Sequence, residues 1–156
     1  MRIGSDWQNE VQQRWGIRVL SSRTAAPQEA LWVTRCSRTK NGVDLGIPKE
    51  LYISPINKYF YKCMESNRLP YGILSDKYGL HLAEEKLPYY DVHPSELSQE
   101  HKRRLGMLIR DKVLALGFWR VVFYNPSPLM SLPYFEMLYY SALDVFYTTR
   151  LDILTK

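Results

Sequence analysis

The chain has 156 residues, of which 46% are hydrophobic and 24% charged, so it is long and apolar enough to bury a full core. This composition excludes disorder of the whole chain, and no apolar run approaches the length of a transmembrane helix. The formal charge of +5 favours an anionic partner, such as nucleic acid or a phosphate-bearing ligand.

The first part of the chain differs from the rest in its lack of a sustained hydrophobic period. We interpret residues 1–27 as an N-terminal extension and residues 28–156 as a single α/β domain. Within the extension, a short helix around 8–14 and a short strand at 17–20 are predicted. Trp7 and Trp15 indicate that the extension docks, either on this domain or on a partner protein.

After the extension, apolar runs alternate with helical patterns, which predicts βαβ units and a mostly parallel sheet of about four strands. The predicted strands are 31–34, 71–74, 119–124 and a last one within 145–154, and the segment 76–94 is predicted to be a long polar loop. Ser54 is a predicted helix cap with Pro55 in the first helical position, a second helix spans 98–116 and stops at Gly117, and a third opens at Pro133. The predicted apolar faces are Ile56, Tyr59, Phe60, Cys63 and Met64; Leu105, Leu108, Ile109, Val113 and Leu116; and Phe135, Leu138, Tyr139, Ala142 and Leu143.

A polar motif directly follows the first strand of the predicted sheet. In Cys36-Ser37-Arg38-Thr39-Lys40, small hydroxyl residues and cations leave a strand end, a pattern that can hold an anion. We take Cys36, Ser37 and Lys40 as ligand-binding candidates. The neighbouring cations are expected to lower the pKa of the Cys36 thiol, which makes it a candidate nucleophile. The alternative is a buried strand-end cysteine.

Two further motifs belong to the second strand and the loop after it. The ligand-binding candidates here are Ser75, Lys77, Tyr78 and Gly79, and Ser54 is a further one. Lys77 would pair with phosphate, and Tyr78 belongs either to the site or to the core. Gly79 favours a left-handed turn. Tyr89 offers a ring for base stacking, and Asp91 is a candidate general base or a turn cap. Lys102, Arg103 and Arg104 are candidate nucleic-acid contacts or solvated charges.

The two cysteines and three histidines show no metal-ligand spacing. We therefore expect no metal and no cofactor. Free thiols and the lack of a leader or membrane segment indicate a cytoplasmic location.

These motifs together resemble a bacterial and archaeal α/β domain family related to the YaaA-type peroxide-stress proteins. The similarity covers Leu31 to Leu143 and rests on Cys36-Ser37-x-x-Lys40, Leu51-Tyr52-x-Ser54-Pro55, Ile73-Leu74-Ser75-x-x-Tyr78-Gly79-Leu80 and Pro88-Tyr89. More distantly, the chain resembles the uracil-DNA-glycosylase-like domain of archaeosine synthase and archaeal tRNA-guanine transglycosylase. The resemblance implies a three-layer α/β/α fold and a nucleic-acid or nucleobase setting. The water-activating motif of glycosylases is not recognisable, so base excision is not predicted.

The leading hypothesis is a nucleic-acid-associated domain that binds a phosphate-containing or nucleobase ligand at the carboxyl ends of the strands, in DNA protection or modification. Two alternatives stay open. One is a small enzyme that acts on a nucleoside, nucleotide or modified base through Cys36 or Asp91. The other is an interaction module that docks on a larger protein through the N-terminal segment.

Overall fold

The centre of the molecule is a sheet of six strands in the order β1-β8-β7-β2-β4-β5. The computed structural model describes residues 6–21, 27–37, 43–90 and 97–154. Its strands are β1 (Arg18–Val19), β2 (Leu31–Arg35), β3 (Leu45–Gly46), β4 (Tyr71–Ser75), β5 (Gly79–Leu82), β6 (Leu87–Pro88), β7 (Arg120–Tyr124) and β8 (Asp144–Thr148). Its helices are α1 (Trp7–Trp15), α2 (Pro48–Leu51), α3 (Pro55–Ser66), α4 (Gln99–Ala115) and α5 (Leu132–Ser141), with short 3-10 turns at Leu129–Ser131 and Asp152–Leu154.

The sheet is mostly parallel, as predicted, but it is wider than the four strands expected. The pairs β1–β8, β8–β7, β7–β2 and β2–β4 are parallel. The edge strand β5 is antiparallel to its neighbour β4. The prediction that 76–94 is a loop was wrong for its described part, 76–90, because β5 pairs with β4 there and β6 pairs with β3. Residues 91–94 lie outside the described residues. A strand of four residues that includes Gly79 and His81 has too weak an apolar pattern to be recognised without its partner strand.

Helices cover both faces of the sheet. The ring of Tyr124 stacks on Phe60 of α3, whereas the adjacent Phe123 contacts Phe135 of α5. Successive strand residues point to opposite faces, so α3 and α5 lie on opposite sides of the sheet. Next to α5, α4 approaches closely at Gly106, where an added Cβ would be 2.6 Å from the carbonyl oxygen of Met137.

The direction in which the chain winds reverses between β2 and β7. From β2 the chain passes through α3 to β4 on one side, and from β7 it passes through α5 to β8 on the other side. In open α/β sheets, ligands bind beyond the carboxyl ends of the strands at such a switch point.

The N-terminal segment packs on this domain. Trp7 contacts Tyr147 edge-to-face at 5.7 Å between ring centroids, and Trp15 lies 5.3 Å from Phe135. β1 extends the sheet by pairing with β8, and Arg18 forms an ion pair with Asp144. The predicted docking of the two tryptophans therefore takes place on the chain's own α5 and β8.

Local signals located the helix ends better than the buried helix faces. Ser54 and Ser98 accept hydrogen bonds from the backbone N–H groups three residues later, and Gly117 has a φ of +89° after α4. The apolar faces were wrong at Tyr59, Leu108, Leu116 and Tyr139, which are between 44% and 54% exposed. They were also wrong at Ala142, which is exposed and follows the last residue of α5. Contacts with neighbouring elements, rather than a single helical stripe, decide which side chains are buried. In the part of the chain that is described, no helix is long and apolar enough to cross a bilayer.

Candidate functional site

Polar side chains from separate parts of the chain meet at the carboxyl ends of β2, β4 and β7, which we call the carboxyl edge. Cys36 follows β2, Ser75 ends β4 and is followed by Asp76, and Asn125 follows β7. Each of these residues is at most 3% exposed. Because the three strands are parallel, their carboxyl ends lie at the same edge of the sheet.

A buried carboxylate holds two donors at this edge. The Cys36 thiol donates to Oδ2 of Asp76 at 3.3 Å, and the hydroxyl of Tyr134 donates to Oδ1 at 2.8 Å. The Cys36 sulfur and the Tyr134 hydroxyl are 3.6 Å apart. Tyr134 comes from the first turn of α5, so this Cys–Asp–Tyr cluster joins three separate segments.

The pKa of Cys36 is shifted in the direction opposite to the one expected from the sequence. Burial, followed by the neighbouring carboxylate of Asp76, raises the pKa of the Cys36 thiol to about 11. Of the cations that were expected to lower it, Arg38 and Lys40 lie outside the described residues. Because the pKa of Cys36 is raised, the expectation that it would be lowered was wrong. The thiol is protonated at neutral pH and donates a hydrogen bond to Asp76.

A chain of hydroxyl groups leads from the carboxyl edge towards β5. Ser75 donates to the Tyr90 hydroxyl at 2.8 Å, Tyr90 and Tyr52 are 3.0 Å apart, and Tyr52 lies 3.1 Å from Nδ1 of His81. Nε2 of His81 is 2.5 Å from the carbonyl oxygen of Glu85. Burial raises the pKa values of Tyr52 and Tyr90 and lowers that of His81, so all three side chains are neutral at pH 7.

Several predicted ligand-binding residues have structural contacts. Ser54 caps α3, and the Tyr78 hydroxyl donates to the carbonyl of Pro88 at 2.7 Å. Ser75 accepts from the backbone N–H groups of Lys77 and Tyr78 in addition to its bond with Tyr90. Gly79 has a φ of +76°, and an added Cβ would be 2.7 Å from the carbonyl oxygen of Leu105, so only glycine fits there.

Other predicted ligand-binding residues remain more accessible. Ser37 is half-buried, Lys77 is exposed, and Tyr89 is 41% exposed. Lys40 and Asp91 lie outside the described residues.

The cations at the start of α4 are partly engaged within the protein. Lys102 forms an ion pair with Glu136 at 3.0 Å and its side chain is only 11% exposed, while the guanidinium of Arg103 lies 5.2 Å from the Tyr140 ring centroid. Arg104 is exposed. Of the three predicted nucleic-acid contacts, Lys102 and Arg103 therefore have contacts within the described protein, and Arg104 is exposed.

Sequence reasoning missed the residues that complete the edge: Asp76, Tyr90, Tyr134, Asn57 and Asn125. Asn57 donates through Nδ2 to the carbonyl of Arg35 at 3.0 Å, which ties α3 to the end of β2. Asn125 could have been found, because it directly follows a predicted strand, and so could Asp76, which comes two residues after the end of another predicted strand. Tyr134 had no such signal, since its role depends on how α5 packs.

Asn125 has an unusual hydrogen-bonding state. Its side-chain oxygen accepts from the backbone N–H of Ser127 at 2.9 Å, but its buried Nδ2 has no hydrogen-bond partner in the described structure. A buried donor without a partner is destabilising by about 1–3 kcal/mol, and such groups in native proteins call for a specific explanation.

Comparisons with models of protein families, with curated proteins and with solved structures found no match to this chain. Within residues 6–21, 27–37, 43–90 and 97–154, no group of three or more His, Cys, Asp or Glu side chains is arranged to hold a metal ion.

Proposed function

We propose that this chain is a nucleic-acid-associated domain that binds a phosphate-containing or nucleobase ligand at its carboxyl edge, in DNA protection or modification. The observation that carries the proposal is the convergence of buried polar groups from β2, β4, β7 and α5 beside the switch point of the sheet. Burying a charged carboxylate is unfavourable, so its presence at this edge with two side-chain donors favours a functional role over a purely structural one.

Two further features support a ligand at this edge. The free Nδ2 donor of Asn125 offers a hydrogen bond to an acceptor oxygen of a base or phosphate. Lys77 is exposed two residues after Ser75 and has no carboxylate partner among the described residues, so its charge is available to an anion.

The proposed kinship to YaaA-type and uracil-DNA-glycosylase-like domains fits the mostly parallel sheet with helices on both faces. The free thiols Cys36 and Cys63 are compatible with the proposed cytoplasmic location. Binding is a better proposal than thiol catalysis, because the high pKa of Cys36 keeps this group protonated.

A melting-temperature screen tests the proposal with nucleotides, free nucleobases and short DNA and RNA. A ligand at about 100 times its Kd stabilises a protein by about 2.7 kcal/mol, so a selective ligand raises the Tm measurably. We expect one of these classes to do so. We also expect Lys77→Ala to weaken the response to phosphate-bearing ligands.

Lys86→Ala is the matched control, since Lys86 is also exposed but lies outside the strand-end motifs. The Lys86→Ala variant should respond to ligands like the wild type. A screen in which no nucleotide, base or oligonucleotide raises the Tm would remove the proposal. If Lys77→Ala and Lys86→Ala reduce the ligand-induced increase in Tm equally, Lys77 is not part of the site.

A further inference from the structure

A positively charged groove lies between α2 and α3, apart from the Cys–Asp–Tyr cluster. It has a volume of about 640 Å³ that includes space open to solvent. We call it the lysine groove, and its lining residues are Lys49, Lys58, Tyr61, Lys62, Glu65 and Ser66. Three lysines against one glutamate give this surface a net positive charge.

Among the described residues, one of the three lysines has a carboxylate partner. Lys49 pairs with Glu65 at 2.8 Å, and both side chains are about half exposed. Lys58 and Lys62 are exposed and have no carboxylate partner among the described residues. The surplus charge of the groove therefore rests on these two side chains.

The positions of Lys58 and Lys62 do not favour the helix that carries them. Like charges four residues apart on a helix are destabilising by about 0.2–0.5 kcal/mol. Lys58 also lies near the start of α3, where the helix dipole disfavours a cation. An anion bound between the two ammonium groups would relieve both effects.

The floor of the lysine groove is held in place before any partner arrives. The hydroxyl of Tyr61 donates to the carbonyl oxygens of Pro48 and Tyr52 at 3.0 and 2.9 Å, and the side chain is buried. These bonds tie α2 to α3. Binding to a preformed surface avoids the entropy loss of ordering it.

The lysine groove begins close to the carboxyl edge and leads away from it. Asn57 joins the start of α3 to the end of β2, and Lys58 is the next residue along the helix. Lys58 and Lys62 are separated by about 6 Å along the helix axis, because each residue of an α-helix rises 1.5 Å. This separation is comparable to the distance between successive phosphates in an extended single strand.

We propose that Lys58 and Lys62 bind the phosphate backbone of a single-stranded nucleic acid whose base or terminal phosphate occupies the carboxyl edge. The inference rests on the proposed function and adds to it the path of the strand. The partner is extended and polyanionic, and its contacts in the lysine groove do not depend on base sequence.

Salt dependence of oligonucleotide binding tests this path. Binding of a labelled oligothymidylate of about 12 nucleotides is followed by fluorescence anisotropy between about 50 and 200 mM NaCl. Each single-strand phosphate contact contributes about 0.7 to the slope of log affinity against log salt. We expect Lys58→Ala/Lys62→Ala to lower the slope by about 1.4, and Lys58→Arg/Lys62→Arg to retain it.

Arg68→Ala/Lys86→Ala is the charge-matched control, since it removes two exposed cations that neither line the lysine groove nor were predicted to contact nucleic acid. The control should keep the wild-type slope. Equal reductions in both double variants would overturn the proposal, because they would reflect overall charge alone. Tighter binding of polyglutamate than of the oligonucleotide would also overturn it, in favour of an acidic protein partner.

The outcomes separate the lysine groove from the carboxyl-edge site. If nucleotides raise the Tm while Lys58→Ala/Lys62→Ala keeps the wild-type slope, the groove proposal fails and the edge site stands. If neither nucleotides nor oligonucleotides bind, both proposals fail.

Discussion

At the scale of single residues, burial reverses the reactivity that the neighbours of Cys36 in sequence would suggest. A thiol with a pKa of about 11 is ionised in only about one molecule in ten thousand at pH 7. We therefore expect iodoacetamide at pH 7 to modify the half-buried Cys63 before Cys36, as measured by peptide mass spectrometry.

A Cys63→Ser variant isolates the reaction of Cys36. Its labelling should be slow at pH 7 and should accelerate as the pH rises towards the pKa of the thiol. Preferential labelling of Cys36 in the wild type at pH 7 would contradict the environment described for this residue.

The buried His81 predicts that stability depends on pH. Burial lowers the pKa of His81 below the usual value of about 6.5, so the unfolded chain binds more protons than the folded one near that pH. The free energy of unfolding should therefore fall as the pH drops below about 6.5, by at most about 1.4 kcal/mol per pH unit for one proton. Urea midpoints between pH 8 and 5.5 measure this effect.

His81→Gln removes the titrating ring, so the slope in this pH range should decrease. His101→Gln is the control, because it retains His81 and the nearby Glu85–Lys112 ion pair. An unchanged pH dependence in His81→Gln would show that other groups account for it.

At the scale of elements, the cap of α3 does more than begin a helix. Ser54 accepts from the backbone N–H of Asn57 and donates to its side-chain oxygen at 2.7 Å, and Asn57 in turn bonds to the carbonyl of Arg35. Loss of a serine cap is destabilising by about 1 kcal/mol. We expect Ser54→Ala to be more destabilising than this in urea unfolding, since it also frees the Asn57 side chain at the carboxyl edge.

Ser98→Ala is the matched control, because Ser98 caps α4 through a single bond to the backbone N–H of His101 on an exposed surface. The Ser98→Ala variant should lose about 1 kcal/mol. A loss in Ser54→Ala equal to or smaller than that in Ser98→Ala would mean that the bond to Asn57 adds nothing.

At the scale of the whole molecule, the N-terminal segment closes one side of the core. Val11, Ile17 and Leu20 are at most 6% exposed, and β1 covers the edge of β8. Fully burying an aliphatic side chain contributes about 1.5–3 kcal/mol, so deletion of residues 1–21 should be destabilising by several kcal/mol. Exposure of the β8 edge should also promote self-association.

Urea unfolding and analytical ultracentrifugation of the truncated chain measure these two effects. Ile17→Ala should by itself be destabilising by about 2–5 kcal/mol, whereas the exposed Gln13→Ala should have little effect. A truncated chain with unchanged stability would show that the segment is a dispensable extension.

The sequence predicted those features that depend on a few neighbouring residues. The Ser54 cap, the start of a helix near Ser98, the stop at Gly117 and the strand-end positions of Cys36 and Ser75 follow from local backbone geometry and hydrophobic period. The alternation of strands and helices was sufficient to predict a mostly parallel α/β sheet.

The tertiary structure decided what those positions contact. The Cys–Asp–Tyr cluster joins residues up to 98 positions apart, and the strand β5 depends on pairing with β4. Even the pKa of Cys36 is governed by burial and by Asp76 rather than by its neighbours in sequence. Local propensity acts over a few residues, whereas desolvation and hydrogen bonding depend on which distant segments the fold brings together.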